Sequence, residues 1–276
     1  MTTTLRPVGP LQQQADGGRS RTFRICVNSR PVGEIHLATH EGFGPRVAQV
    51  RALRVDEPER GRGRGTVAAL AAEEVARGWD CQQLQASVPA DAAVALRLAQ
   101  ALGYTERSRH LTKRLDVVPA PPPGSTARPM EPAEYGPWRE AAGAAYLAEW
   151  TERGVPEPQA RAKVAHDWAR LLPEGPATPG AAFGVLEHDG TTVGTIWVTT
   201  SAPSDDGAFV LDVEVAPERR GEGHGRTLMR HAERIALDAG HTRLGLNVFA
   251  GNTPALRLYE SLGYEPVAHH LYKPLV

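Results

Sequence analysis

The stretch Phe209-Val210-Leu211-Asp212-Val213-Glu214-Val215-Ala216-Pro217, closely followed by Arg220-Gly221-Glu222-Gly223-His224-Gly225, decides the fold of this chain. In its first part the residues are apolar, then alternate between apolar and acidic, and end at a proline. This pattern predicts a strand. Its second part places three alternating glycines at the start of a helical pattern. Glycines let the backbone approach a ligand closely, and the first turn of a helix presents the positive end of its dipole. The stretch therefore predicts a strand, a turn and a helix that suit a pyrophosphate group.

The same motif occurs a second time, 160 residues earlier in the chain. There the turn reads Arg60-Gly61-Arg62-Gly63-Arg64-Gly65, and each copy closes with Leu-Gly-Tyr, at residues 102–104 and 262–264. The two copies align without a gap between these points. Because this period is far too long for a stacked solenoid unit, the chain contains an internal duplication of a whole domain.

Length and composition agree with two globular domains. A chain of 276 residues can bury two cores, and 41% hydrophobic with 23% charged residues is typical of soluble proteins. The net charge of −1 provides no basic excess for a nucleic-acid partner. The two cysteines, Cys26 and Cys81, exclude a disulfide framework and a zinc site built on paired cysteines, and we expect no metal.

The sequence also predicts a cytoplasmic location. Residues 1–21 are polar and have no apolar run, so they do not resemble a signal peptide or an anchor. No stretch approaches the roughly 20 apolar residues that a membrane span needs. We therefore expect neither a membrane nor a nucleic acid among the partners.

The order of the predicted elements suggests four segments. They are a mobile tail at residues 1–20, a shortened first domain at 21–117, a proline-rich linker at 118–125 and a complete second domain at 126–276. In the second domain, a strand at 126–130 and helices at 131–153 and 157–172 precede a hairpin, whereas the first domain lacks all three. We expect an α+β or α/β fold in each domain, with a mixed, mostly antiparallel sheet flanked by helices.

The glycine spacing excludes two common phosphate-binding motifs. The third glycine falls one residue early for the dinucleotide fingerprint, and no Gly-Lys-Ser/Thr follows as in nucleoside triphosphatases. The pattern Arg220-x-x-Gly223-x-Gly225 after a strand instead resembles the acyl-coenzyme A binding signature of the GNAT superfamily of N-acyltransferases. The downstream segment from Asn252 to Tyr264 adds to this resemblance, which covers residues 126–276 fully and about 22–115 in shortened form.

The resemblance implies an acetyl-coenzyme A-dependent N-acetyltransferase, with a splayed sheet that holds the pantetheine arm between two strands. The backbone of Val213 and Val215 would pair with the arm, and the Val215 N–H would stabilise an oxyanion at the thioester. Tyr259 would give a proton to the departing thiolate. The residues that the resemblance assigns to acetyl-coenzyme A binding are Val213, Val215, Arg220, Gly221, Glu222, Gly223, His224, Gly225, Arg226 and Asn252.

The attacking amine needs a base, because a free alkylamine is protonated at pH 7. Glu214 is the first candidate and Asp212 the second, acting directly or through water. Glu214 could equally be a solvated residue on the opposite face of the strand. Structural roles are also open for three other candidates: Tyr259 could belong to an apolar helical stripe, Asn252 could cap a helix, and Arg220 could be a surface residue.

The first copy lacks the side chains that chemistry would require. The positions of Asn252, Tyr259 and Glu214 are occupied there by Ala92, Ala99 and Arg54. An alanine cannot protonate a thiolate, and an arginine cannot act as a base. We therefore expect the first domain to be catalytically inert, with a glycine turn that either still holds coenzyme A or persists because the fold needs it.

The two helices before the hairpin would form one wall of the pocket for the acceptor, which we predict to be a small amine. They offer Trp138, Tyr146, Glu149, Trp150, Glu152 and Trp168, which could seat a cationic amine or simply form a core stripe with a solvated acidic face. A homodimer is compatible with the sequence. Two other functions stay open: a tandem enzyme similar to mycothiol synthase, and a non-catalytic acyl-coenzyme A binding or scaffold protein.

Overall fold

A computed structural model describes residues 2–15, 17–201 and 207–275 of the chain. The strands are β1 (Thr3–Gln13), β2 (Arg19–Val27), β3 (Arg30–His40), β4 (Gly44–Val55), β5 (Gln83–Pro89), β6 (Thr105–Arg114), β7 (Ser125–Pro129), β8 (Ala181–His188), β9 (Thr191–Thr199), β10 (Ala208–Val215), β11 (Arg243–Phe249) and β12 (Glu265–Pro274). The helices are α1 (Arg64–Gly78), α2 (Ala93–Ala101), α3 (Pro132–Glu152), α4 (Glu157–Leu171), α5 (His224–Asp238) and α6 (Thr253–Ser261). None of the helices in the described ranges has the length and apolar character of a membrane span.

The chain divides into two compact units. Unit 1 comprises Met1–Ser108, Pro158–Lys163 and Ala268–Val276, and unit 2 comprises Arg109–Glu157 and Val164–Val267. In unit 1 the strand order is β1-β2-β3-β4-β5-β12, with β4 and β5 parallel and the other pairs antiparallel. Helices α1 and α2 contribute to a core that includes Ile35 and Leu84, both fully buried.

Unit 2 has the matching strand order β6-β11-β10-β9-β8-β7. Strands β10 and β11 are parallel, while β10 with β9, β9 with β8, and β8 with β7 are antiparallel. Leu228 and Met229 of α5 are fully buried in its main core, and a second cluster joins α3 and α4 to the sheet through Trp138, Trp168 and Trp197. The predicted mixed, mostly antiparallel sheets with flanking helices are therefore confirmed.

Each unit contains the closing strand of the other half of the chain. Leu271 and Leu275 are buried in the core of unit 1, where the Leu275 N–H donates to the Gln82 carbonyl at 2.8 Å. Leu111 and Leu115 are buried in the core of unit 2. The compact units thus differ from the predicted division, which assigns residues 109–117 to the first domain and residues 268–276 to the second.

The predicted mobile tail is wrong for most of its length, because Thr3–Gln13 forms strand β1. This strand pairs antiparallel with β2 from Thr3–Val27 to Val8–Thr22, and Leu5 packs on the core. Its prolines are tolerated because β1 is an edge strand, where not every backbone N–H has to donate within a sheet. The first half therefore has the leading strand that it was predicted to lack, and only the two helices have no counterpart. Met1 and Asp16 of the predicted tail lie outside the described residues.

A buried ion pair anchors each closing strand. In unit 2, the Lys113 Nζ of β6 lies 2.6 Å from the Glu233 carboxylate of α5, and the side chain of Glu233 is only 4% exposed. In unit 1, Lys273 of β12 meets the equally buried Glu73 of α1 at 2.7 Å. Glu73 and Glu233 are 160 residues apart, and so are Lys113 and Lys273. The duplication therefore preserves both the ion pair and the strand that it holds.

We expect Lys113→Met to destabilise the protein by about 3–5 kcal/mol, because it leaves the buried Glu233 carboxylate without its lysine. The double variant Lys113→Met/Glu233→Leu should recover most of this loss, since it replaces the pair by apolar groups. Urea unfolding at pH 7 measures both variants. If the single and double variants unfold alike, the ion pair does not anchor the strand.

Candidate active site

Strands β10 and β11 separate soon after they begin. Their parallel pairing extends only from Ala208–Leu244 to Val210–Leu246. The register of β10 against β9 shifts between Val210 and Asp212, which marks a bulge at Leu211. Residues 212–215 remain paired with β9 on one side, so their other edge faces the gap between β10 and β11.

The backbone of β10 presents donors to this gap. The Ala216 N–H donates to the Val193 carbonyl at 3.0 Å, on the side of β9. Because successive N–H groups of a strand point to opposite sides, those of Val215 and Val213 point into the gap. They have the direction that pairing with a pantetheine arm requires.

The glycine turn after β10 forms a cradle of N–H groups. Gly221 and Gly223 have φ angles of 83° and 90°, in the left-handed region that favours glycine. Within the described residues, no hydrogen bond is formed by the N–H groups of Gly221, Glu222 and Gly223. Those of His224 and Gly225 lie in the first turn of α5, where the helix itself provides no acceptor. These five donors fit an anionic diphosphate.

Close packing explains the third glycine of the motif. A Cβ atom added to Gly225 would lie 3.1 Å from Leu258 Cδ2 and 3.8 Å from a Val215 methyl group. Any larger side chain would therefore push α5 away from α6 and from the end of β10. Arg226 ties the same two helices together, with a 2.6 Å hydrogen bond to the Ser261 hydroxyl.

The charged side chains of the cradle also hold its shape. Arg220 Nε donates to the Val215 carbonyl at 3.2 Å, which links the turn back to the strand. Glu222 accepts a hydrogen bond from Arg219 and lies 3.2 Å from the buried His224. The hydrogen bond from Arg219 is the main cause of the lowered pKa of Glu222. This carboxylate is thus paired within the turn.

Helix α6 brings the two other predicted residues to the same unit. The Asn252 side chain caps α6, because its Oδ1 accepts from the Ala255 N–H at 3.2 Å. Tyr259 is 6% exposed and packs edge-on against Tyr264. Burial, followed by the charges of Asp212 and Glu149, raises the pKa of Tyr259 to about 12. Its phenol is therefore protonated at neutral pH and available as a donor.

Of the two candidate bases, Asp212 has the environment of a functional carboxyl. Burial and then the charge of Glu214 raise the pKa of Asp212 to about 6. Its Oδ2 atom is buried with no hydrogen bond of normal geometry among the described residues, and the nearby Trp138 side chain lowers the pKa only in part. Glu214, the first candidate from the sequence, is exposed on the same strand. The packing of α3 accounts for this difference, because its Trp138 side chain lies beside Asp212, and this packing is not visible in the local pattern.

The C-terminal end of α3 forms an aromatic and acidic wall. The Trp150 ring packs edge-on against Phe249, at the end of β11, with 5.2 Å between ring centroids. The Arg153 guanidinium lies 4.2 Å from the centroid of the same Phe249 ring and 4.0 Å from Glu149 Oε1. Burial is the main cause of the raised pKa of Glu149. Helix α3 is thereby placed over the end of β11, beside the gap.

The six wall residues predicted from the sequence fall into different environments. Trp138 and Trp168 belong to the core, Glu152 is exposed, and Tyr146 donates to the buried Asp167 at 2.7 Å. The remaining two, Glu149 and Trp150, lie beside the gap, because Trp150 contacts Phe249 at the end of β11. Sequence reasoning missed Phe249, whose only signal is its position at the end of the strand before Asn252.

The first half repeats the backbone of this site without its chemistry. Gly61 and Gly63 have φ angles of 73° and 72°, and the Asp56 N–H donates to the Val32 carbonyl as Ala216 does to Val193. Its turn, however, contains a buried carboxylate, Glu59, bonded to Arg30 at 2.5 Å. Arg62 and Arg64 also lie within 4.0 Å of Glu59. These cations are therefore already partly neutralised within unit 1.

The side chains at the positions of the second half's candidates are of a different kind. Ala92 makes no side-chain cap at the start of α2, Ala99 is buried, and Arg54 is exposed on β4. None of the three can donate a proton to a thiolate or accept one from an amine.

The family model described as the acetyltransferase (GNAT) family matches residues 3–104 and again 138–264. Among curated proteins, the mycothiol acetyltransferase of Thermomonospora curvata is 32% identical over 270 residues, covering 93% of this chain and 84% of that protein. The streptothricin acetyltransferase of Streptomyces lavendulae is 37% identical over 91 residues, covering 33% of this chain and 48% of that protein.

Solved structures show the same fold. A GCN5-related N-acetyltransferase from Sphaerobacter thermophilus has a TM-score of 0.61 at 22% identity and covers 92% of this chain and 80% of its own. A tandem GNAT protein from the clavulanic acid biosynthesis pathway has a TM-score of 0.53 at 22% identity, with 96% and 85% covered. Both extend over the two halves of the chain.

Proposed function

The chain belongs to the acetyltransferase (GNAT) family, and from this premise we propose that its second half transfers an acetyl group from acetyl-coenzyme A to a small amine by direct attack. The observation that supports this most is the placement of a half-buried carboxyl, Asp212, and a buried phenol, Tyr259, around one splayed strand end. A base and an acid are both needed there. Neither is present in the first half.

The donor would be held by backbone rather than by charge alone. The N–H cradle at residues 221–225 would bind the diphosphate, with Arg220 and Arg226 contributing positive charge beside it. The pantetheine arm would lie along residues 211–215 of β10, and the amide group of Asn252 still has its N–H donors for the arm while its oxygen caps α6.

The chemical roles follow from the two perturbed groups and one N–H. Asp212 accepts a proton from the ammonium form of the acceptor, which then attacks the thioester carbonyl with its lone pair. The Val215 N–H stabilises the negative oxygen that develops there. This attack forms the carbon–nitrogen bond. As the carbon–sulfur bond then breaks, Tyr259 gives its proton to the sulfur, and the nitrogen loses its second proton, through water, to the Tyr259 phenolate. Glu214 is more exposed than Asp212, so it is the second candidate for the base.

A matched pair of variants tests which half contains the site. Gly225→Val should raise KM for acetyl-coenzyme A about 10-fold or more, because the side chain meets Leu258 and displaces the cradle. The equivalent Gly65→Val meets Leu98 at 3.4 Å in the first half and should leave that KM unchanged. The release of the free thiol with a panel of amines measures this KM in both variants. Equal effects, or an effect of Gly65→Val alone, would contradict the assignment to the second half.

A second candidate acceptor is the one implied by the mycothiol acetyltransferases. The 32% identity to the protein of Thermomonospora curvata extends over 93% of this chain, well beyond the turn itself. Including a mycothiol precursor in the same panel tests this candidate. A purely non-catalytic role is disfavoured, because a scaffold would have no need for Tyr259 and Asp212 in one half only. The cytoplasmic location and a homodimer stay predictions from the sequence.

A further inference from the structure

A tryptophan of α3 lies against the carboxyl that is the candidate base. Asp212 of β10 and Trp197 of β9 are directly paired in the antiparallel sheet, so their side chains lie on the same face. The Trp138 ring packs edge-on against Trp197, with 5.8 Å between ring centroids, and is 8% exposed. The indole of Trp138 is thereby placed beside Asp212, on the side of the sheet that α3 covers.

Trp138 and Asp212 each have a buried polar atom without a partner. Trp138 Nε1, which can only donate, and Asp212 Oδ2, which accepts when the carboxyl is ionised, have no hydrogen bond of normal geometry among the described residues. Trp168 and Trp197 also have unpaired indole N–H groups, but Trp138 is the tryptophan that acts on the Asp212 carboxyl. Because the last side-chain torsion of an aspartate is soft, a small turn of this carboxyl aligns the two atoms.

The other groups near Asp212 oppose its ionised form. Burial raises its pKa most, and the charges of Glu214 on β10 and Glu149 on α3 add to the increase. Strand β9 has no titratable side chain, and the proton of the Tyr259 phenol on α6 is needed for the departing sulfur in the proposed reaction. A protonated carboxyl is not a base, so the site needs a donor that favours the carboxylate.

The internal duplication places the donor and the carboxyl in the same half. The position of Asp212 is occupied in the first half by Ala52, and helix α3, which contains Trp138, has no counterpart there. Both members of the pair are therefore confined to the half that contains the candidate acid and base.

We propose that Trp138 is a positioning residue whose indole N–H donates a hydrogen bond to Asp212 Oδ2. The bond stabilises the carboxylate and fixes one of its oxygens, which leaves Oδ1 to accept the proton of the attacking ammonium. The role in the reaction rests on the proposed amine acetylation, whereas the hydrogen bond itself can be observed without turnover.

Nuclear magnetic resonance of the full chain tests the hydrogen bond directly. The chain has five tryptophans, and the indole N–H signals are assigned in ¹⁵N-labelled protein. The Trp138 proton should move to lower field as the pH rises through about 6, where Asp212 loses its proton, because a carboxylate is the stronger acceptor. This movement should be absent in Asp212→Asn, and the Trp168 signal should not show it. A Trp138 signal that is insensitive to pH, or that moves equally in Asp212→Asn, would overturn the inference.

The pH dependence of kcat/KM tests the role in the reaction. In Trp138→Phe the rise of kcat/KM should shift from about pH 6 to about pH 7 or above, because one hydrogen bond to a charged group is worth about one pKa unit or more. Trp168→Phe provides the control: it shortens a ring that stacks on Trp197 in the same cluster and should leave the inflection in place. An inflection that stays near pH 6 in Trp138→Phe, or that moves equally in both variants, would overturn the positioning role while amine acetylation stands. If no amine is acetylated, the proposed function and the role in the reaction both fail, and the indole signal alone decides the hydrogen bond.

Discussion

Tyr259→Phe is expected to lower kcat about 100-fold or more, while the affinity for acetyl-coenzyme A changes little. The substitution removes one hydroxyl from a buried side chain and leaves the ring packing against Tyr264 in place. Loss of a positioned general acid typically costs a factor of 10²–10⁴. Steady-state thiol release measures kcat, and isothermal titration with acetyl-coenzyme A measures the affinity.

Tyr264→Phe provides the control for Tyr259→Phe. Tyr264 is also a buried phenol, 2% exposed, but burial and Glu233, rather than Asp212, are what raise its pKa. This second variant should keep its kcat within a few-fold of the parent. A full rate in Tyr259→Phe would show that the phenol does not protonate the thiolate. An equal loss of kcat in both variants would show that altered packing, not the loss of a proton donor, lowers the rate.

Asp212→Asn is expected to lower kcat/KM by a similar factor and to change its pH dependence. A carboxyl acts as a base only when it is deprotonated, and the pKa of Asp212 is raised to about 6. The parent kcat/KM should therefore rise with pH through about 6, and this inflection should be lost in the variant. Glu214→Gln, on the same strand and exposed, should keep the inflection. If Glu214→Gln instead loses the inflection and Asp212→Asn keeps it, Glu214 is the base.

The pH dependence of the protein's stability tests the raised pKa of Asp212 independently of activity. Its folded pKa lies above the value of about 3.9 for an unfolded aspartate, so the folded chain binds the proton more tightly. The contribution of this group to stability is therefore present below about pH 4 and is lost as the pH rises through 6. Asp212→Asn should unfold at higher temperature than the parent at pH 7, and this advantage should shrink toward pH 4. A variant that is less stable at pH 7 would show that the carboxylate is well satisfied.

The sequence predicted the cradle well because its determinants are local. Gly221 and Gly223 occupy positions with positive φ, where other residues are strained, and the proline after β10 ends the strand. The helices and strands of the second half were placed to within a few residues for the same reason, since their periodicity is read along a short window. The expectation that the first half is catalytically inert comes from Ala92, Ala99 and Arg54 alone.

The edge strand β1 could not be read from composition. The segment Thr3–Gln13 contains two prolines and few apolar residues, which is the pattern of a mobile tail. Only the neighbouring β2 and the core position of Leu5 make it a strand. Its partner provides the hydrogen bonds that the local sequence does not reveal.

The sequence by itself determined the two copies, the glycine turn and the half that contains the candidate acid and base, because each depends on the identity of nearby residues. Only the tertiary structure decided where the closing strands go, because residues 110–115 and 270–275 have similar patterns and the sequence does not show which sheet each one joins. It also decided that Asp212, not Glu214, is withdrawn from water. The packing of α3, whose Trp138 lies beside Asp212, sets that burial, and it depends on contacts between segments that are distant along the chain.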